Sequence, residues 1–197
     1  MRAVVLTVDQ HGSQTQPDQV PTALAALAAV PARLAFQRTA GDEFQGVLDD
    51  PAALPRALEH LLRADVWSIG IGIGEIETPL PDQARAGRGP AYVAAREAVT
   101  TAKSSPWRVR ATGPGDPARA LESAVWLWAA LLARRTDRGW EVADLVDQGL
   151  TYEETAARLG ISQSAVSQRA AAAGIAEGRR ARELVEFLTR TALEGDR

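Results

Sequence analysis

The stretch LTYEETAARLGISQSAVSQRAAAA, residues 150–173, constrains this chain most, because its start and stop signals leave room only for two short helices and a tight turn. Thr151 with Glu154 three residues on has the form of a capping box, in which hydroxyl and carboxylate each satisfy a backbone N–H at a helix start. That helix is expected to run through Leu159. Gly160 supplies the left-handed residue at which it stops, Ile161 can plug between the two helices, and Ser162 can cap the second. The second helix starts at Gln163 and buries Val166, Ala170 and Ala173 at helical spacing, with small side chains that allow close approach. Gln163, Ser164, Ser167, Gln168 and Ala171 are left facing outward.

Two helices joined this way read as a helix-turn-helix; an ordinary helical hairpin with a glycine turn is the blander alternative. With Ala156, Gly160 and Val166 in place, the segment resembles the helix-turn-helix of bacterial transcription regulators. The resemblance implies that the start of the second helix reaches base edges in the major groove of double-stranded DNA. Glutamine bonds bidentately to adenine and serine to several bases. Expected DNA-contacting residues are Thr151, Ser162, Gln163, Ser164, Ser167, Gln168, Arg169, Arg179 and Arg180. A formal net charge of -3 excludes a general nucleic-acid coating protein. Locally, Arg158, Arg169, Arg179, Arg180 and Arg182 stand against the single acid Glu177, a patch suited to neutralising phosphates.

The rest of the composition sets limits. A chain of 197 residues forms one compact domain or two small ones. There is no cysteine for a disulfide or thiolate site, and the two histidines argue against a zinc site. No apolar run approaches the ~20 residues that span a bilayer, so no membrane partner is expected. The opening MRAVVLTVDQ is too short in its apolar part for a signal peptide, and a soluble, cytoplasmic protein is the expectation.

Residues 3–8 form a continuous β-branched run suited to a strand buried on both faces, ending in Asp9, Gln10, His11, Gly12 and Ser13. A helix is expected over 20–30, begun by Pro21, then strands over 33–39 and 43–48 joined by a tight hairpin at Ala40, Gly41 and Asp42. A helix over 51–64 carries Leu54, Leu58, Leu61 and Leu62. The strand WSIGIGIGE, 67–75, alternates isoleucine with glycine, so one face is bare and open to close approach by a backbone or a ligand. After a loop at 87–90 come a helix over 91–103 and a short strand over 107–111. The fold class is α+β, and the first six elements have the ferredoxin-like βαββαβ order, with helices on one face of an antiparallel sheet.

The run from Val8 to Ser13 resembles the metal-binding first strand and phosphate turn of class III nucleotidyl cyclases. Ala40, Gly41, Asp42, Glu43 and Phe44 resemble the hairpin carrying their second metal-binding acid, and differ by one residue from the signature hairpin of diguanylate cyclases, the GGDEF type. Residues 71–76 resemble the later glycine-bearing strand, and Gly89 with Ala94, Ala95 and Arg96 the helix after it; Tyr92 stands where those enzymes usually carry asparagine. The layout is also similar to the SatD family of small bacterial proteins. The resemblance implies a palm-type domain in which Asp9 and Asp42 hold Mg2+ with a bound nucleotide. Asp9, Gln10, Gly12, Ser13, Gly41, Asp42 and Arg96 would bind the ligand. If the domain is active, Glu43 and Arg96 would be its catalytic residues, in two-metal phosphoryl transfer that releases pyrophosphate.

Residues 113–117, GPGDP, mark a break in composition. Beyond it a helix over 118–135 carries Leu121, Val125, Trp128 and Leu132 on one stripe with Trp126, Leu127 and Leu131 beside it, too wide an apolar surface for one neighbour to cover. A short helix over 140–146 leads into the helix-turn-helix, and a last helix over 181–192, with Leu184, Val185, Leu188 and Thr191, suits dimerisation. The expected division is a cyclase-like domain at 1–113, a linker helix at 114–136 and a DNA-binding domain at 137–197. The function expected is a homodimeric, DNA-binding transcription regulator whose first domain senses a nucleotide or cyclic dinucleotide. A nucleotidyl cyclase with a helix-turn-helix targeting module is the alternative.

Overall fold

Strand β1 (Arg2–Gln10) sits at the centre of the sheet, as its unbroken apolar run demands: a strand with no polar face needs cover on both sides. The computed structural model describes residues 1–195, in which β1 is followed by α1 (Val20–Leu27), β2 (Leu34–Ala40), β3 (Glu43–Leu48), α2 (Ala53–Ala64) and β4 (Trp67–Glu75). After a 3-10 turn at Ala84–Ala86 come α3 (Pro90–Ala102) and β5 (Val109–Thr112). Five helices complete the chain: α4 (Gly115–Leu132), α5 (Asp137–Asp147), α6 (Tyr152–Leu159), α7 (Gln163–Ala172) and α8 (Ile175–Glu194). The architecture is therefore mixed, a five-stranded sheet followed by helices.

The sheet order is β2-β3-β1-β4-β5. β1 is antiparallel to both β3 and β4, β2 is antiparallel to β3, and β5 joins β4 in parallel. Opposite faces of β1 feed two cores. Val4, Leu6 and Val8 join Leu27, Leu54, Leu58, Ile69 and Ile71, and the same core continues through Leu121, Trp128 and Val185 into the C-terminal helices. Ala3 and Val5 join Val47, Ile76, Ala84, Ala91 and Ala95 on the other side.

The second face is covered by a helix that lies beyond the first six elements. Helices α1 and α2 share the larger core, whereas α3 lies across the bare strip of β4. A Cβ on Gly70 would collide with the backbone of Ala95 and Val99, and one on Gly72 with the backbone of Ala91 and Ala95. The glycine alternation thus admits a helix backbone. It leaves no open floor there for a ligand.

The C-terminal helices also depart from expectation. α8 begins at Ile175, six positions before the expected 181, because Gly174 turns the chain in the left-handed region (φ 59°) and a new helix starts at once. α5 begins at Asp137, since the Thr136 hydroxyl accepts a hydrogen bond from Gly139 N and caps it. The apolar stripe of α4 is covered by β5 and α8: Trp126 Nε1 donates to Val109 O at 2.7 Å, and Trp128 is fully buried.

Gly72→Val drives two methyl groups into the α3 backbone and is expected to cost at least about 3 kcal/mol, the upper end for overpacking, read from urea unfolding. Gly160→Ala, at a position with open space around it, is expected to cost less, about 1 kcal/mol from its left-handed φ alone.

Candidate nucleic-acid interface

Helices α5, α6 and α7 pack as a unit, and each start is closed by the residue the backbone needs there. Thr151 accepts from Glu154 N at 3.2 Å while Glu154 accepts from Thr151 N and Oγ1, both at 2.8 Å, a complete capping box. Those two hydrogen bonds, the backbone one first, hold the Glu154 carboxyl below the ordinary glutamate range. A depressed carboxyl pKa stabilises the fold above the unfolded-state value, and that contribution is lost as pH falls through the folded-state value. Gly160 ends α6 at φ 65°, and Ser162 caps α7 by accepting from Ala165 N at 3.2 Å. Thr155, Ala156, Val166, Ala170 and Ala173 are buried between the helices, with Ile161 half-buried against the same core. Gly139 allows α5 to close on α7, since a Cβ there would lie 2.9 Å from Ala173 Cβ.

Packing in this way turns one polar edge outward. Gln163, Ser164, Ser167, Gln168 and Ala171 are all exposed, as are Thr151 and Ser162. Ser162 and Ser164 hydroxyls stand 2.9 Å apart. The expected arginine patch is arranged differently. Arg169 lies 4.0 Å from Glu141, Arg179 pairs with Asp147 and donates to Val146 O, and Arg180 pairs with Glu183. Arg182 turns inward to Glu59 and Asp147, at 2.6 and 3.0 Å. Counting charges along the sequence between 158 and 182 missed these acids because they come from α2, from α5 and from the next turn of α8. Within α5 to α7, the exposed arginines without an ion pair among the described residues are Arg138 and Arg158.

A charged joint fixes this helical unit to the sheet domain. Arg63 on α2 grips Asp144 on α5 with two hydrogen bonds, 2.7 and 2.9 Å. Trp140 lies between two guanidinium groups, Arg63 at 4.5 Å and Arg135 at 4.3 Å from its ring. The Arg135 side chain is only 3% exposed; it donates to Ala173 O and lies 3.9 Å from Glu59. Burial pulls its pKa down, against the opposing pull of Glu59 and Asp147. Nothing in the spacing of Glu59, Arg63, Arg135 and Arg182 announced this cluster.

In the sheet domain the residues expected to bind a ligand fall into two groups, because successive residues of a strand point to opposite faces. Asp9 turns toward α3, where Lys103 Nζ holds it at 2.9 Å; Glu43, its register partner on β3, is held by Arg96 at 3.2 Å. Gln10, Ser13, Gly41 and Asp42 instead line a cavity of about 490 Å³ together with Asp18 and Arg38, which pair with each other. Gly12 makes the tight turn beside it at φ 72°. Asp9 and Asp42 therefore have different neighbours. Among the described residues no group of three or more histidine, aspartate or glutamate side chains is placed to hold one. Tyr92 packs its buried hydroxyl against Gly87.

With the geometry in place, comparison with known proteins decides what the helical unit is. Residues 131–173, the end of α4 through α7, match the family of sigma-70 region 4. The chain carries a helix-turn-helix DNA-binding module. No curated protein and no solved structure matches the chain. No helix among the described residues is long and apolar enough to cross a membrane.

Glu59→Gln removes the carboxylate shared by Arg135 and Arg182 and is expected to cost roughly 2–3 kcal/mol, the range for breaking charged hydrogen bonds at a largely buried site. Urea unfolding at neutral pH measures it, and a cost under half a kilocalorie, the range of ordinary surface changes, would show that the joint is solvated.

Proposed function

We propose that this protein is a transcription regulator that reads duplex DNA with the start of α7 and answers to a nucleotide or cyclic nucleotide bound by its sheet domain. One observation carries the first part: in a segment similar to sigma-70 region 4, the apolar face of α7 is buried while Gln163, Ser164, Ser167 and Gln168 are exposed. Helix N-terminal residues of this kind contact base edges, and the peptide N–H groups at helix starts bind phosphate.

The second part is supported by the strand order. β2-β3-β1-β4 with antiparallel neighbours is the arrangement of a ferredoxin-like palm, to which β5 adds a parallel edge. Gln10, Ser13, Gly41 and Asp42 surround one cavity of ligand size, with Arg38 as its positive group. Binding is favoured over turnover, because Asp9, one of the two expected metal-binding acids, is paired with Lys103, and Glu43, an expected catalytic residue, with Arg96. Bound ligand alters DNA affinity only to the extent that it prefers one arrangement of the two halves, and the joint at Glu59, Arg63 and Trp140 is the element through which it would act.

Fluorescence anisotropy with duplex DNA, the protein's own promoter included, tests the DNA reading. Affinity is expected to fall with salt, and Gln168→Ala to weaken the preferred site by about 1–3 kcal/mol while leaving non-specific binding unchanged. Absence of salt-dependent binding to any duplex would remove the proposal. Calorimetry against a panel of nucleoside triphosphates and cyclic nucleotides tests the sheet domain: binding heat with one of them, lost in Asp42→Ala, is expected, and no heat with any leaves that domain a scaffold.

A further inference from the structure

We infer that the outer face of α8 is where two copies of this chain pair, antiparallel, on a two-fold axis through Phe187. The inference deepens the DNA-binding reading above and rests on it for its purpose, though not for its geometry.

Most large apolar side chains of the C-terminal half are covered, but a few are not. Leu127 on α4 and Leu184 and Phe187 on α8 are 74%, 46% and 59% exposed. α4 and α8 pack side by side in opposite directions: Leu131 near the end of α4 lies against Gly174 and Gly178 at the start of α8, while Pro114 and Gly115 lie near Ala192 and Gly195. Trp128 and Val185 fill the inside of that pair. On α8 the positions opposite this buried side are 180, 184, 187, 191 and 194. They recur at alternating steps of four and three, the spacing of a seam that meets another helix.

Charge says which helix. Reading outward from Phe187, the seam has Arg180 seven residues before it and Glu194 seven after, and the flank has Glu183 four before and Arg190 three after. When a second α8 is laid antiparallel about Phe187, Arg180 of each copy comes level with Glu194 of the other. Glu183 comes within about one residue's rise, 1.5 Å, of Arg190. All four side chains are exposed; Arg180 and Glu183, and Arg190 with Glu186, pair only along their own helix at present. In the parallel arrangement each of these charges would meet its own kind. The face is therefore complementary to a reversed copy of itself, which is what an isologous interface requires.

A second observation says why one copy is insufficient. Residues 131–173, the matched DNA-binding segment, hold five arginines against six acidic residues. A module of net negative charge gains little from phosphate contacts. Holding two modules together makes the second contact intramolecular and raises overall affinity without new contacts.

Sedimentation velocity of the full chain without DNA, over a wide range of protein concentration, tests the interface. The expected result is a dimer for wild type and a monomer for Phe187→Glu, with an unchanged far-ultraviolet circular dichroism spectrum because the ring is exposed. Arg180→Glu and Glu194→Arg are each expected to weaken the dimer roughly tenfold, and the double variant to restore it, which no loss of folding could imitate. A wild type that stays monomeric, a Phe187→Glu protein that stays dimeric, or a double variant no tighter than the single ones overturns the inference. The two readings fail separately: a monomer that binds duplex DNA sinks this one alone, and a dimer with no DNA affinity sinks only the proposed function.

Discussion

The helix-turn-helix unit is set against the sheet by a small group of charges, of which Arg135 is buried and Glu59 largely so. Glu59 on α2 is shared between Arg135 and Arg182, Arg63 holds Asp144, and Trp140 fills the space between two guanidinium groups. Charges in such a place attract strongly only if each has its partner, since desolvation removes what water would have supplied. The cluster is thus sensitive to the exact relation of α2 to α5 and α8. Sliding α5 by one turn would separate Asp144 from Arg63 and break both of their hydrogen bonds. A joint of that kind restricts how α5 can sit against α2 and α8.

A second constraint works through size. β4 has glycine at every second position, and α3 lies so close that its backbone occupies the volume of the missing side chains. From α3 come Arg96 and Lys103, and these two cations reach Glu43 and Asp9 at the end of the sheet. Asp9, one of the two acids expected to hold a metal ion, is thus paired with Lys103, and Glu43 with Arg96. Close packing on the bare strip and neutralisation of the acids are consequences of one helix placement. The open space beside Gln10, Ser13, Gly41 and Asp42 lies on another side of the strand ends, where Arg38 and Asp18 pair.

Arginines show how position overrides composition. Read along the chain, Arg169, Arg179, Arg180 and Arg182 make a basic run; in the fold each has an acid from another turn or another helix. Arg182 is part of the joint and not of any DNA-facing surface. What remains outward on α7 is neutral and hydrogen-bonding, suited to bases more than to phosphates.

Much of this was legible beforehand wherever the physics is local. The capping box at Thr151 and Glu154, the stop at Gly160, the cap at Ser162 and the buried set Val166, Ala170 and Ala173 all stand as the spacing requires, because each concerns backbone groups within a turn or two of the residue. The strands followed from their apolar runs, and the bare face of β4 was visible as an alternation. Tertiary structure alone decided what covers that face, where α8 begins, which acids neutralise which arginines, and that Asp9 and Asp42 have different neighbours. These depend on which elements lie side by side, and a pattern along one strand or helix carries no information about the chain that will pack against it.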